Sequence, residues 1–80
     1  MVLIMADDDI IERIGLNITI MRERRGLTQE KLAELADLHR AYIGQIERGE
    51  KNIGLRNLEK IAKALDVNIR VLVDTFRIGR

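Results

Sequence analysis

The sequence is divided into short helical segments by residues that end one helix and begin the next. Gly26, which suits the left-handed position after a helix, is followed by Thr28, a good N-cap. Gly49 ends a later segment in the same way. Apolar residues recur three and four positions apart within the segments, so each has one apolar face. The pattern therefore predicts a compact all-α fold made of short helices.

Five helices are predicted on this basis. The first begins at Ile10 and closes at Gly26, the second spans about two turns after Thr28, and the third spans Arg40–Arg48. The residues predicted to face the core are Ile10, Ile14, Ile18 and Met21 in helix 1, Leu32, Ala33, Leu35 and Ala36 in helix 2, Ile43 and Ile46 in helix 3, Leu55, Leu58, Ile61, Ala62 and Leu65 in helix 4, and Ile53 in the loop between helices 3 and 4.

The last segment fits two patterns. A helical stripe would contain Ile69, Leu72, Val73 and Phe76, whereas every second residue from Val67 to Val73 is also apolar, as in a strand. We favour a fifth helix capped by Asn68, because everything before it is helical and a single strand would lack a partner.

Length and composition limit the organisation and chemistry of the chain. Its 80 residues suit a single domain, placed at residues 10–80 after an N-terminal arm at residues 1–9 that need not be ordered. With no Cys, no Ser and only His39, the sequence offers no metal site, no cofactor site and no material for an enzyme. The absence of Cys fits a reducing cytoplasm, and no segment predicts a membrane span.

The charge distribution is more informative than the net charge of +1. Acidic residues cluster at Asp7–Asp9, whereas the middle of the chain is rich in basic residues. If folding brings these basic residues to one face, the domain has a basic surface despite its nearly neutral total. The basic residues concerned are Arg22, Arg24, Arg25, Lys31, Arg40, Arg48, Lys51 and Arg56.

Three stretches together resemble one known family. Residues 28–36 read Thr-Gln-Glu-Lys-Leu-Ala-Glu-Leu-Ala, residues 39–49 read His-Arg-Ala-Tyr-Ile-Gly-Gln-Ile-Glu-Arg-Gly, and residues 52–65 continue as Asn-Ile-Gly-Leu-Arg-Asn-Leu-Glu-Lys-Ile-Ala-Lys-Ala-Leu. This set resembles the Cro and phage-repressor-like (XRE) helix-turn-helix family, and residues 39–53 look particularly like its restriction-modification controller proteins. The resemblance implies a lambda-repressor-like domain in which helices 2 and 3 form the helix-turn-helix.

The family also implies a function: sequence-specific binding of double-stranded DNA by a homodimer that regulates transcription at a roughly palindromic operator. RNA polymerase is a further candidate partner. The alternatives that use the same fold are an antitoxin and a protein-interaction module.

The resemblance assigns the reading of bases to the exposed front of helix 3. Arg40 is the foremost candidate, because arginine can bond bidentately to guanine, and Gln45 can pair in the same manner with adenine. Ala41 would touch a thymine methyl, and Gly44 would allow close approach of the backbone. The alternative for Arg40 is a solvated surface charge.

Residues around helices 2 and 3 are implied to contact phosphates: Thr28, Gln29, His39, Tyr42, Arg48, Lys51 and Asn52. Two of them have open alternatives. Tyr42 either packs its ring against helix 2 or reaches a phosphate with its hydroxyl, and His39 acts as a helix cap or as a backbone contact. The alternative for the residues after helix 3 is an ordinary polar loop.

The resemblance also implies an ion pair and a dimer interface. Arg22 and Glu47 match positions that form a largely buried ion pair between helices 1 and 3. Ile69, Val73 and Phe76 are predicted to form the dimer interface, with packing against helix 1 as the alternative for Ile69 and Leu72. Ile10 and the N-terminal arm could also contribute to that interface.

Overall fold

The computed structural model describes residues 9–74, which form five α-helices and no strand. The helices are α1 (Ile10–Arg24), α2 (Gln29–Ala36), α3 (Arg40–Glu47), α4 (Leu55–Leu65) and α5 (Ile69–Val73). The predicted all-α class is confirmed, and the last segment is helical as far as Val73. Phe76 and residues 1–8 of the predicted arm lie outside the described residues.

Side-chain caps begin three of the helices. Asp9, placed at the end of the arm by the sequence, accepts from the Ile11 amide at 2.8 Å and is the N-cap of α1. The Thr28 hydroxyl accepts from the Lys31 amide at 3.0 Å, and Asn68 caps α5. Each cap supplies an acceptor to an amide that has no partner within the helix.

Left-handed residues follow four of the helices. Gly26 and Gly49 have φ of 69° and 74°, as their positions predict. Asp37 and Asp66 also have positive φ, both at 56°, and they cap the ends of α2 and α4. Asp is one of the few residues other than Gly that tolerates this conformation. The left-handed backbone at these two positions was not predicted from the sequence.

The core is aliphatic and lies where the helices meet. α1 packs against α3, α4 and α5, while α2 packs against α3 and α4. The buried cluster contains Ile18, Leu32, Ala33, Ala36, Ile43, Ile46, Leu58, Ile61, Ala62, Leu65 and Leu72. Ile53 packs against this cluster from its loop, as predicted. Leu72 therefore belongs to the core, which decides one of the two alternatives left open for it.

Three predicted core residues are exposed. Leu35 is 50% exposed, because Leu32, Ala33 and Ala36 form the inner face of α2 and Leu35 falls outside it. Leu55 is 78% exposed, since it is the first residue of α4 and directly follows the exposed Gly54. Ile10, the first residue of α1, is 48% exposed. Helical spacing identified the stripe in each case but not where the covering helices end.

Two close contacts fix α1 against its neighbours. Gly15 lies directly on the end of α3, where a Cβ on it would overlap the Ile46 carbonyl oxygen and lie 3.0 Å from that of Glu47. Asn17 is fully buried and its amide donates to the carbonyl oxygens of Leu72 and Asp74, both at 3.0 Å. α1 therefore supports α3 on one side and the end of α5 on the other.

Candidate nucleic-acid interface

The front of α3 is open to solvent. Arg40 and Ala41 are exposed and Gln45 is half-buried, whereas Ile43 and Ile46 on the opposite side are buried. Within the described residues no hydrogen bond or ion pair engages the Arg40 side chain. The helix therefore uses its apolar side for the core and leaves its first turn free to meet a ligand.

Gly44 differs from the other predicted base-contacting residues because it is buried. A Cβ on Gly44 would lie 3.1 Å from Nη1 of Arg48 and 3.7 Å from Oε1 of Gln29. Both neighbours are side chains rather than backbone. The absence of a side chain at Gly44 thus leaves room for two residues that were predicted to contact phosphates.

Arg48 is held by a carboxylate that the sequence analysis missed. Its Nε donates to Oε2 of Glu50 at 2.8 Å, and its Nη2 donates to Oε1 at 3.2 Å. This hydrogen bonding lowers the pKa of Glu50 and raises that of Arg48. Both side chains are more than half exposed, so we assign the pair no large stabilising effect. The sequence signal for this pair was the opposite charge of Arg48 and Glu50, which lie two positions apart.

The N-terminus of α2 lies beside the N-terminus of α3. An open cleft between them is lined by Arg22, Thr28, Gln29, Glu30 and Arg40. The first amides of α2 have no acceptors within the helix and carry the positive end of its dipole. Free amides and the Arg40 guanidinium therefore supply donors and positive charge to this cleft, alongside the Glu30 carboxylate, and such donors are what an anionic group requires.

The predicted ion pair between α1 and α3 is present, and it belongs to a hydrogen-bond network with more partners than the two predicted residues. Arg22 donates from Nε to Oε2 of Glu47 at 2.7 Å and from Nη2 to Oε1 at 3.1 Å, and its Nη1 donates to the Leu27 carbonyl oxygen at 2.7 Å. Gln29 adds a third donor to the same carboxylate, from Nε2 to Oε1 at 2.9 Å. Hydrogen bonding to Glu47 raises the pKa of Arg22.

This network connects three helices through one carboxylate. The Glu47 side chain is only 4% exposed, and both of its oxygens are occupied. Because a carboxylate only accepts, the Gln29 amide must turn its nitrogen toward Glu47, which leaves its second N–H for another acceptor. The network thus sets the orientation of a residue at the cleft.

Tyr42 packs its ring against the core, and its hydroxyl accepts from Nδ2 of Asn57 in α4 at 3.0 Å. The sequence gives no local signal for this partner, because Asn57 lies in another helix. His39 occupies the N-cap position of α3 without a side-chain cap bond. Phosphate contacts from either residue stay predictions, since the hydroxyl hydrogen of Tyr42 and the exposed ring of His39 both keep free bonding capacity.

The loop after α3 presents the remaining predicted contacts. Lys51 and Asn52 are exposed, and within residues 9–74 neither has a hydrogen-bonding or ionic partner. Ile53 is anchored in the core just behind them. The two polar side chains therefore project from a loop whose position is fixed.

Neither a metal centre nor a membrane span is found in the part of the chain that the structure describes. No three His, Cys, Asp or Glu side chains there come together as metal ligands. No helix there has the length and hydropathy needed to cross a bilayer.

Comparison with known proteins gives matches that extend across the helices described above. The helix-turn-helix family matches residues 18–72. Over 60 residues the chain is 50% identical to the control protein C.BamHI of Bacillus amyloliquefaciens. That alignment covers 75% of this chain and 74% of the C.BamHI chain. Over 65 residues it is 43% identical to the control protein C.SmaI of Serratia marcescens. That alignment covers 81% of this chain and 77% of the C.SmaI chain.

A solved structure agrees with these matches. The restriction-modification controller protein C.AhdI of Aeromonas hydrophila superimposes with a TM-score of 0.76 at 42% identity. The superposition covers 78% of this chain and 94% of that one. The predicted lambda-repressor-like architecture and the likeness to controller proteins are both confirmed.

Proposed function

Because the chain belongs to the helix-turn-helix family, we propose that it regulates transcription by binding a specific duplex DNA sequence as a homodimer. The observation that carries the proposal is the open front of α3 beside the donor-lined cleft at the N-terminus of α2. In this geometry α3 enters the major groove while the cleft receives a backbone phosphate. The cytoplasm is the proposed site of action.

The site residues divide into two roles under this proposal. Arg40, Ala41 and Gln45 face base edges, whereas Thr28, Gln29 and Lys51 hold the backbone and set the position of α3. His39, Tyr42, Arg48 and Asn52 are proposed as further backbone contacts. The free guanidinium of Arg40 supports its role, because nothing else in the described residues uses its donors.

The relatives support a more specific assignment, to the controller of a restriction-modification system. Two of the similar proteins are control proteins and a third is a restriction-modification controller. The sign of regulation and any contact with RNA polymerase are open to direct measurement by transcription in vitro from the promoter upstream of its gene.

Footprinting on the DNA upstream of its own gene tests the function. We expect the wild-type protein to protect two half-sites on one face of the duplex and to bind less tightly as salt concentration rises. A folded protein that shows neither a preferred sequence nor salt-dependent binding would instead indicate a protein-interaction module.

Arg40→Ala tests the proposed reader. A bidentate arginine–guanine contact contributes about 1–3 kcal/mol of discrimination, so the variant should bind the preferred site roughly 5- to 150-fold more weakly. Its affinity for random duplex should fall much less. Lys60→Ala, an exposed cation on α4, is the control and should bind like wild type. Equal protection of the same bases by Arg40→Ala would show that another residue reads the DNA.

A further inference from the structure

Gly44 lies on the proposed DNA-facing side of α3, but DNA approaching this turn would meet other groups first. The residue is buried, and the nearest group to a Cβ placed there is Nη1 of Arg48, at 3.1 Å. The Gln29 amide oxygen follows at 3.7 Å. A direct approach of DNA to the Gly44 backbone would therefore have to displace a guanidinium that occupies this space.

The guanidinium is also held in a defined orientation. Glu50 accepts from Nε and Nη2, along one side of the planar group. A guanidinium has five N–H donors, so three remain, two on Nη1 and one on Nη2. One donor from each Nη atom forms the end-on fork that suits a pair of acceptors, such as two phosphate oxygens or O6 and N7 of guanine.

We infer that Gly44 and Glu50 act together as positioning residues for Arg48. The Arg48 guanidinium, held against the middle of α3, then binds a pair of DNA acceptors. Gly44 provides the space for the guanidinium, and Glu50 fixes which edge it presents. The inference rests on the proposed function and changes the expected part of Gly44, from close approach to DNA to accommodation of a side chain that contacts DNA. It also gives Arg48 a place on the α3 face instead of in the following loop.

The placement of Arg48 can be tested without DNA. In the free wild-type protein, NMR should show nuclear Overhauser contacts between the Arg48 side chain and the Gly44 α-hydrogens. Gly44→Ala and Glu50→Gln should each shift the Arg48 Nε–H resonance, while circular dichroism confirms that both variants are folded. A free protein with no contact between Arg48 and Gly44 would overturn the inference, whatever its behaviour toward DNA.

A double-mutant cycle tests the consequence for binding, with the duplex that wild-type protein selects from a random pool as the probe. Gly44→Ala and Arg48→Ala should each weaken binding by about fivefold or more, which corresponds to the lower limit for a good paired contact. The double variant should bind no more weakly than Arg48→Ala alone, because Gly44 then has nothing to accommodate. A Gly44→Ala effect that persists without Arg48 would show that DNA contacts the glycine itself and would overturn the inference.

The two sources of acceptors give different results for Arg48→Ala. A phosphate contact predicts weaker binding to all sequences and a salt slope smaller by about 0.9. A guanine contact predicts a relaxed preference at one base pair instead. Either result fits the inference, since both acceptor pairs match the same fork, and an Arg48→Ala protein that binds like wild type would overturn it.

Glu50→Gln distinguishes two roles of Glu50: orienting Arg48 toward DNA, and competing with DNA for Arg48. Loss of orientation should weaken binding to the selected duplex, while binding to a random duplex stays equal or improves because a negative charge has been removed. Tighter binding to both duplexes would mean that Glu50 competes with DNA, which would overturn its positioning role. Glu34→Gln, which breaks the exposed pair with Lys31, is the control and should keep wild-type preference.

If wild-type protein selects no duplex, the proposed function fails. The NMR contact would still decide whether Gly44 accommodates Arg48.

Discussion

Glu47 is the residue on which the polar structure of the interface depends. Its carboxylate receives three donors from α1 and α2 and is almost completely buried. A buried ion pair gives little net stability after desolvation, but the loss of one partner leaves the other charge uncompensated. The family likeness identified the pair with Arg22, whereas the bond from Gln29 depends on how three helices meet and has no local signature in the sequence.

Glu47→Gln should therefore destabilise the protein by about 3 kcal/mol, because Arg22 keeps its charge in a largely buried place. Urea unfolding followed by circular dichroism measures the change. Glu34→Gln, which removes an exposed carboxylate paired with Lys31, should cost no more than about 0.5 kcal/mol. Equal stability of Glu47→Gln and wild type would show that the network contributes to orientation alone.

At the scale of the helices, cap and turn residues located the helices that the structure describes, except that α5 was preferred to a strand because the segments before it are helical. Gly26, Thr28, Gly49 and Asn68 mark helix boundaries by their own backbone and capping preferences, so they can be recognised without tertiary information. Crossing points cannot be recognised in this way. Gly15 falls inside a continuous helix, and only the packed structure shows that it lies on the backbone of α3.

Gly15→Ala should destabilise the fold by at least about 2 kcal/mol, since the new methyl group would overlap backbone atoms and force α1 away from α3. Gly44→Ala is the matched comparison, because it is also a buried helical glycine but faces movable side chains. It should be neutral or stabilising by up to about 1 kcal/mol through helix propensity. Thermal unfolding of the two variants provides the test, and a Gly15→Ala protein as stable as wild type would exclude the close crossing.

At the scale of the whole molecule, two exposed apolar areas differ in their surroundings. Ile69 and Val73 of α5 are 37% and 38% exposed next to the fully buried Leu72. Leu35 is more exposed, but it lines a groove with Asp37, Lys60 and Lys63. Charged residues are depleted at the centres of homodimer interfaces. Ile69 and Val73 share one side of α5, with Arg70 and Asp74 beside them at its edge, so the α5 face is the better candidate. Helical spacing could not rank these areas, because burial depends on where neighbouring helices end.

Val73→Glu should convert the proposed dimer to monomer at concentrations where wild type is dimeric, since it places a charge in the apolar contact. Sedimentation equilibrium measures the dissociation constant, which should rise at least tenfold, corresponding to about 1.4 kcal/mol. Leu35→Glu is the matched control and should stay dimeric. The reverse result would move the interface to the groove between α2 and α4.

The contact of Gly15 with α3 has a consequence for how sequence preference arises. Because backbone meets backbone there, α3 has no room to shift toward α1 when it meets a duplex. Adjustment to an imperfect fit then falls on the duplex, which must bend or twist at an energetic cost that depends on its base steps. Base pairs between the two half-sites should therefore influence affinity even though no side chain reaches them.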